Sequence, residues 1–167
     1  MFKDGKLTFK DDTPVREGQK KERMWHVLIV DDEPGVHEVT KLALANFEFE
    51  RKKCRFISAY SAKEAKAIIQ ETPNIALALI DVVMETEDAG LNLVNHIRYD
   101  LHNKLIRIIL RTGQPGQAPE EKVIQDYDIN DYKGKSELTT QKLYTAVLTS
   151  LRTYRDMVAL EKNRQGL

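Results

Sequence analysis

Short apolar runs alternate with stretches of helical spacing along most of this chain. Val27-Leu28-Ile29-Val30 and Ile75-Ala76-Leu77-Ala78-Leu79-Ile80 are apolar on both faces and too short for helices. Strands buried in a parallel sheet look like this. A third run, Leu105 to Leu110, is interrupted by Arg107, and further strands are predicted over Cys54 to Ala59 and around Ile129 to Lys133. Between them, Val36, Val39, Ala43 and Phe47 recur every three to four residues after Pro34, which suits a first helical turn. Ser61 and Glu64 match a capping box, so a helix carrying Ala65, Ile68 and Ile69 inward is expected until Thr72-Pro73-Asn74. Gly90 opens another with Leu91, Val94, Ile97 and Leu101 on one side. A short helix follows Pro119, and a long one runs from Ser136.

Strand and helix thus alternate about five times at short spacing, which predicts an α/β fold with helices on both faces of one sheet. Residues 25–151 form that domain. Half of the first 24 residues are charged and few are apolar, so 1–24 reads as a flexible arm. Residues 152–167 read as a helical extension. Along the last helix Tyr144, Val147, Leu151, Tyr154 and Val158 recur at 3-4-3-4 spacing. That seam predicts either a longer packed helix or a dimerising signalling helix that leads to an output domain.

Composition narrows the classes. The 167 residues carry 26 basic and 26 acidic side chains, so no net field draws the chain to nucleic acid or acidic lipid. No stretch approaches the ~20 apolar residues of a membrane span, and the single Cys54 forms no intramolecular disulfide. The expectation is a cytoplasmic protein with no direct nucleic-acid or membrane partner.

The chemistry lies where the predicted strands stop. In open α/β sheets ligands bind at the carboxyl ends of the strands. Here the first strand ends at Asp31-Asp32, the third at Asp81, the fourth at Thr112 and the fifth near Lys133 and Lys135. Each residue alone has an ordinary explanation, such as a helix cap, a turn or a solvated lysine. Together they place three carboxylates, a hydroxyl and an ammonium on one edge. Such carboxylates repel one another, and a hard divalent cation resolves the repulsion. Magnesium, for which manganese can substitute, also neutralises charge that develops during phosphoryl transfer. A carboxylate can attack phosphorus to give an aspartyl phosphate.

Val-Asp31-Asp32-Glu-Pro, Ile-Asp81-Val-Val-Met84 with Gly90 downstream, Leu-Arg-Thr112-Gly and Asp-Tyr132-Lys-Gly-Lys135 resemble the receiver domains of two-component response regulators over roughly residues 25–155. The resemblance implies a flavodoxin-like five-stranded parallel sheet of order 2-1-3-4-5. It implies that Asp81 accepts a phosphoryl group from a sensor histidine kinase or a phosphotransfer protein and so controls an output. Asp31, Asp32, Asp81 and the Val83 carbonyl would hold the metal. Thr112 and Tyr132 would act as the switch, and Lys135 would pair with the phosphoryl group. The chain would then be a signalling receiver and not an enzyme on other substrates. Lys133 shares strand periodicity with Lys135; the family pattern favours Lys135. Val83 and Gln114 occupy positions that in this family tune water attack, and an apolar Val83 predicts slow autodephosphorylation.

Some positions depart from the family pattern. Ser136 and Glu85 replace usual prolines, and Glu85, Glu87 and Asp88 make an acidic loop that either tightens metal binding or repels phosphodonors. A degenerate receiver that acts only as a protein-interaction module is the alternative these departures allow. The segments Met-Glu-Thr-Glu-Asp-Ala-Gly and Arg-Thr-Gly-Gln-Pro-Gly-Gln-Ala-Pro-Glu also resemble receivers fused to cyclic-di-GMP cyclases or HD-type phosphodiesterases. That favours a fragment of a longer regulator over a single-domain one, with homodimerisation through the last helix. Other strand-end chemistries fit less well. A haloacid-dehalogenase-type phosphatase needs an aspartate at position 83, a flavodoxin needs a phosphate loop where Asp31-Asp32-Glu33 stands, and no Walker motif is present. The four histidines show no metal-ligand grouping, and His37 reads as a surface residue.

Overall fold

The computed structural model describes residues 24–113, 120–134 and 139–166. Its elements run β1 (Trp25–Val30), α1 (Pro34–Ala43), β2 (Glu48–Phe49), β3 (Lys52–Ala59), α2 (Ala62–Glu71), β4 (Ile75–Asp81), α3 (Ala89–Asn95), a π-helical turn (His96–Asp100), β5 (Arg107–Thr112), α4 (Glu120–Tyr127), β6 (Asp131–Gly134) and α5 (Thr140–Gln165). The sheet order is β2-β3-β1-β4-β5-β6. All pairings are parallel except β2 with β3. Without β2, this is the predicted five-stranded, doubly wound sheet.

Every residue of β4 is buried, which is why its sequence is apolar without alternation. Side chains still alternate between faces. Leu28, Val30, Ala78, Ile80, Ile108 and Leu110 pack with α2 and α3 on one face. On the other, Val27, Ile29, Leu77, Leu79 and Ile109 pack with Leu143, Val147 and Leu151 of α5. Burying each such side chain contributes roughly 1.5–3 kcal/mol. One core on each face fixes where the strands end, and hence where the site lies.

The α1 helix departs from expectation. Val39 is 66 % exposed, and the buried face carries His37 and Thr40, with Leu44 and Phe47 beyond. The apolar stripe is therefore turned, because both polar residues have partners inside. His37 Nε2 meets the Asp31 carbonyl at 2.8 Å and its Nδ1 meets Ser58 Oγ at 2.9 Å. A carbonyl only accepts, so Nε2 carries the proton. Thr40 Oγ1 accepts from Arg111. His37 is thus a buried tether of the β1–α1 loop rather than a surface residue.

At the sheet edge, β2 and the start of β3 make a hairpin that the apolar pattern does not predict. Its turn residues Glu50 and Arg51 both have positive φ, 52° and 63°. Such turns normally announce themselves with Asn or Gly, and neither is present. Of the arm predicted over 1–24, residues 1–23 lie outside the described residues.

Candidate functional site

Two strands deliver three acids to one edge. β1 ends at Val30, and Asp31 follows fully buried, its backbone N–H bonded to the Ala59 carbonyl of β3 at 3.1 Å. Asp31 Oδ1 accepts the Glu33 N–H at 2.9 Å, which fixes the turn into α1. Asp32 beside it is exposed. Asp81 closes β4 and is 3 % exposed. One carboxylate oxygen from each of Asp31, Asp32 and Asp81 lies within 4.8 Å of the others. Ligand oxygens of an octahedral magnesium sit about 3 Å apart when adjacent and about 4.2 Å apart when opposite. The donor set and its spacing therefore fit a hard divalent cation.

Thr112 ends β5, buried, one residue beyond the Arg111 that pairs with Asp81. The hydroxyl-bearing residue thus stands one strand over from the candidate nucleophile. Val83 lies exposed in the loop just past β4. Tyr132 sits on β6 opposite Leu110, but its side chain lies outside the described residues, as do Lys135, Ser136 and Gln114. Of the residues expected to converge, the structure gathers the carboxylates of Asp31, Asp32 and Asp81 and ends the neighbouring strand at Thr112; Lys135 lies outside the described residues.

Gly90 sets how closely α3 approaches this edge. A Cβ there would lie 2.1 Å from the Asp81 carbonyl oxygen and 2.8 Å from Val82 Cα. The Gly90 N–H instead bonds the Val82 carbonyl at 2.9 Å. Only glycine permits that contact.

In the loop between β4 and α3, Glu85 and Asp88 have hydrogen-bond partners of their own. Glu85 Oε1 and Oε2 accept the N–H groups of Ala62 and Lys63 at 2.9 and 3.2 Å, while Ser61 Oγ accepts from Glu64. The free amides at the start of α2 are thereby satisfied, with the carboxylate at the positive end of the helix dipole. Burial raises the Glu85 pKa, but the hydrogen bonds from Ala62, its own amide and Lys63, with the charge of Lys66, outweigh it and hold the carboxyl below its ordinary value. Asp88 accepts from Thr86 Oγ1 at 2.8 Å. Glu85 thus replaces a proline with a cap, and its charge is committed to α2.

Sequence reasoning does not find the polar layer beneath the acids: His37, Thr40, Ser58 and Arg111. The available signal is a charged residue inside an otherwise apolar strand end. Arg111 enters the sequence pattern only as part of the Leu-Arg-Thr-Gly motif.

A parallel sheet with carboxylates gathered at one carboxyl-terminal edge and a hydroxyl on the neighbouring strand is the architecture of receivers. Solved structures carry the same fold. A CheY-like response regulator receiver domain protein from Methanospirillum hungatei JF-1 matches with TM-score 0.67 and 21 % identity, covering 80 % of this chain and 98 % of that one. The signal receiver domain of an HD domain-containing protein from Pseudomonas fluorescens Pf-5 matches with TM-score 0.70 and 19 % identity, covering 82 % and 93 %. This chain has the receiver-domain fold. In sequence it is 47 % identical over 172 residues to the 3'3'-cGAMP-specific phosphodiesterase 2 of Vibrio cholerae, a match that takes in 99 % of this chain and 33 % of that protein. The chain spans a third or less of the length of the curated relatives it matches. No family model matches it. No helix among the described residues is long and apolar enough to cross a membrane.

Proposed function

We propose that this domain accepts a phosphoryl group on Asp81 from the phosphohistidine of a sensor kinase or phosphotransfer protein. The observation that carries the reading is the gathering of Asp31, Asp32 and Asp81 oxygens within 4.8 Å at the strand-end edge. An Asp81 oxygen attacks phosphorus, the phosphorus–nitrogen bond breaks, and the imidazole leaves with that electron pair. Asp31, Asp32, Asp81 and the Val83 carbonyl would hold magnesium or manganese, which supplies neutralisation of the phosphoryl oxygens when bound. Lys135 and the Thr112 hydroxyl take further phosphoryl oxygens, and Thr112 with Tyr132 passes the change to the α4–β6 face. Val83 offers no group to orient water, so the phosphoaspartate is long-lived.

Acetyl phosphate with magnesium tests the reading directly. Intact-protein mass should rise by one phosphoryl group, and Asp81→Asn should abolish the rise. An unmodified wild type at saturating magnesium overturns it and favours a phosphorylation-independent interaction module.

The output follows from the company the fold keeps. A relative named for cGAMP hydrolysis is 47 % identical, and a structural neighbour is the receiver of an HD domain-containing protein. The reading these support is the receiver of a longer cytoplasmic regulator of cyclic-dinucleotide turnover. The α5 seam is partly occupied within the domain: Tyr144 packs on Phe47 and Tyr154 on Trp25. Val158 and Leu160, the latter 68 % exposed, remain for contact between two copies. Light scattering with and without beryllofluoride should show mass rising on activation; unchanged mass counts against a dimer switch.

A further inference from the structure

Among the described residues three arginines are buried: Arg98, Arg107 and Arg111. Arg98 donates to the carbonyls of Asn103, Ile106 and Asp128 at 2.8–2.9 Å. Arg107 donates to those of Leu105 and Lys104, and both arginines flank Asp128. These two tie the α3–β5 connection together through hydrogen bonds.

Arg111 is built otherwise. Its Nη1 donates to Thr40 Oγ1 at 2.9 Å, while Nε and Nη2 are buried with no hydrogen-bond acceptor. A guanidinium placed this way is costly unless charge elsewhere compensates it. The compensating charge is the acidic edge. Arg111 is the register partner of Asp81, and its carbonyl accepts the Val82 N–H at 3.1 Å. Burial pulls its pKa down, and the carboxylates of Asp31 and Asp81 oppose that pull. Thr40 anchors the cation from α1, so it cannot swing out to solvent without breaking that bond.

We propose that Arg111 is a built-in counter-cation of the acidic edge, which offsets the mutual repulsion of Asp31 and Asp81 before a metal arrives and weakens the binding of that metal. The inference rests on reading the edge as a divalent-cation site. A fixed positive charge attracts both carboxylates toward a common point, yet it repels a dication placed among them. At separations of several ångströms with an intermediate effective dielectric, that repulsion alters metal affinity by at least about tenfold. The domain therefore keeps its acids assembled without metal and gives up metal affinity in return.

Magnesium binding by isothermal titration calorimetry at low ionic strength tests this. Arg111→Met should bind magnesium at least about tenfold more tightly than wild type, and Arg111→Lys, which keeps the charge, should stay within about threefold. The melting temperature of Arg111→Met should also rise more on adding magnesium than that of wild type, because tighter binding to the native state stabilises it more. A purely structural arginine predicts the opposite, since a disturbed site binds metal more weakly. Unchanged or weaker magnesium affinity in a cooperatively melting Arg111→Met overturns the proposal. Should that variant fail to fold, Arg111→Gln, which keeps an N–H donor without charge, takes its place: tighter binding supports the proposal and unchanged or weaker binding overturns it. Wild type that binds magnesium but takes no phosphoryl group overturns only the phosphoacceptor reading. Wild type that binds no magnesium overturns both.

Discussion

Single side chains hold the acidic edge in place through contacts with no slack. Gly90 is the sharpest case, because its missing Cβ is replaced by the backbone of Asp81 and Val82. Gly90→Ala must push α3 away from β4, and overpacking of this kind typically costs about 1–3 kcal/mol. The urea midpoint should fall accordingly, and phosphorylation by acetyl phosphate should slow because Asp81 moves with its carbonyl. A midpoint equal to wild type would show that α3 yields freely. His37 works from the other side of the edge, joining the Asp31 carbonyl to Ser58 of β3. His37→Leu keeps most of the volume but leaves a buried carbonyl and a hydroxyl without that partner, a loss of roughly 1–3 kcal/mol. Chemical denaturation reads the loss directly, and His37→Asn should recover part of it if a single donor toward Asp31 is what matters.

At the scale of elements, the same chemistry recurs as caps and faces. The start of α2 is satisfied by its own Ser61 and by Glu85 from the loop after β4, so that loop is fastened to a helix it does not adjoin in sequence. Glu85→Ala should cost about 1 kcal/mol at neutral pH, the usual worth of a cap at an exposed position. The pH dependence has a definite sign. The native Glu85 pKa is depressed, so its contribution is present above the ordinary glutamate value of about 4.3 and is lost as pH falls through the lower native value. Denaturation midpoints of wild type and Glu85→Ala should converge below that range; a gap that persists in acid would assign the effect to packing. The Ser61–Glu64 box is legible in sequence because both partners lie in one local motif. The role of Glu85 is not, because its partners are more than 20 residues away. Likewise β1, β4 and the acids at their ends are legible, since parallel strands buried on both faces write themselves as unbroken apolar runs. The inward face of α1 is misjudged because His37 and Thr40 satisfy buried partners that a count of apolar spacing does not register. The β2–β3 hairpin escapes for a related reason: Glu50 and Arg51 adopt a backbone that their side chains do not advertise.

Across the whole molecule, the acidic edge and the last helix are joined to opposite ends of β1. The strand runs from Trp25 to Val30 and delivers Asp31 at its far end, about 20 Å away at the usual rise per residue. Trp25 donates from Nε1 to the Phe49 carbonyl at 2.9 Å and stacks on that ring at 5.6 Å, while Tyr154 of α5 meets it edge-on at 6.4 Å. Arg155 completes the knot, with its guanidinium 5.3 Å over Phe49 and Nη1 2.7 Å from Glu50. The unpredicted hairpin is thus the seat on which the extension of α5 rests, and the first turns of that extension belong to the domain itself. Trp25 is the single tryptophan, so its emission reports this knot alone. Truncation after Leu151 should redden and weaken that emission as Tyr154 and Arg155 leave, and should lower stability by about 1–3 kcal/mol for the lost aromatic and apolar burial. Magnesium, bound at the other end of the strand, should leave the emission unchanged in both proteins. A shift on phosphorylation that magnesium alone does not produce would then show the far end of β1 sensing the state of Asp81, and would trace the route from phosphoacceptor to output through β1 and the hairpin into α5. Emission that stays fixed when Asp81 is phosphorylated would leave the α4–β6 face as the path by which the signal departs.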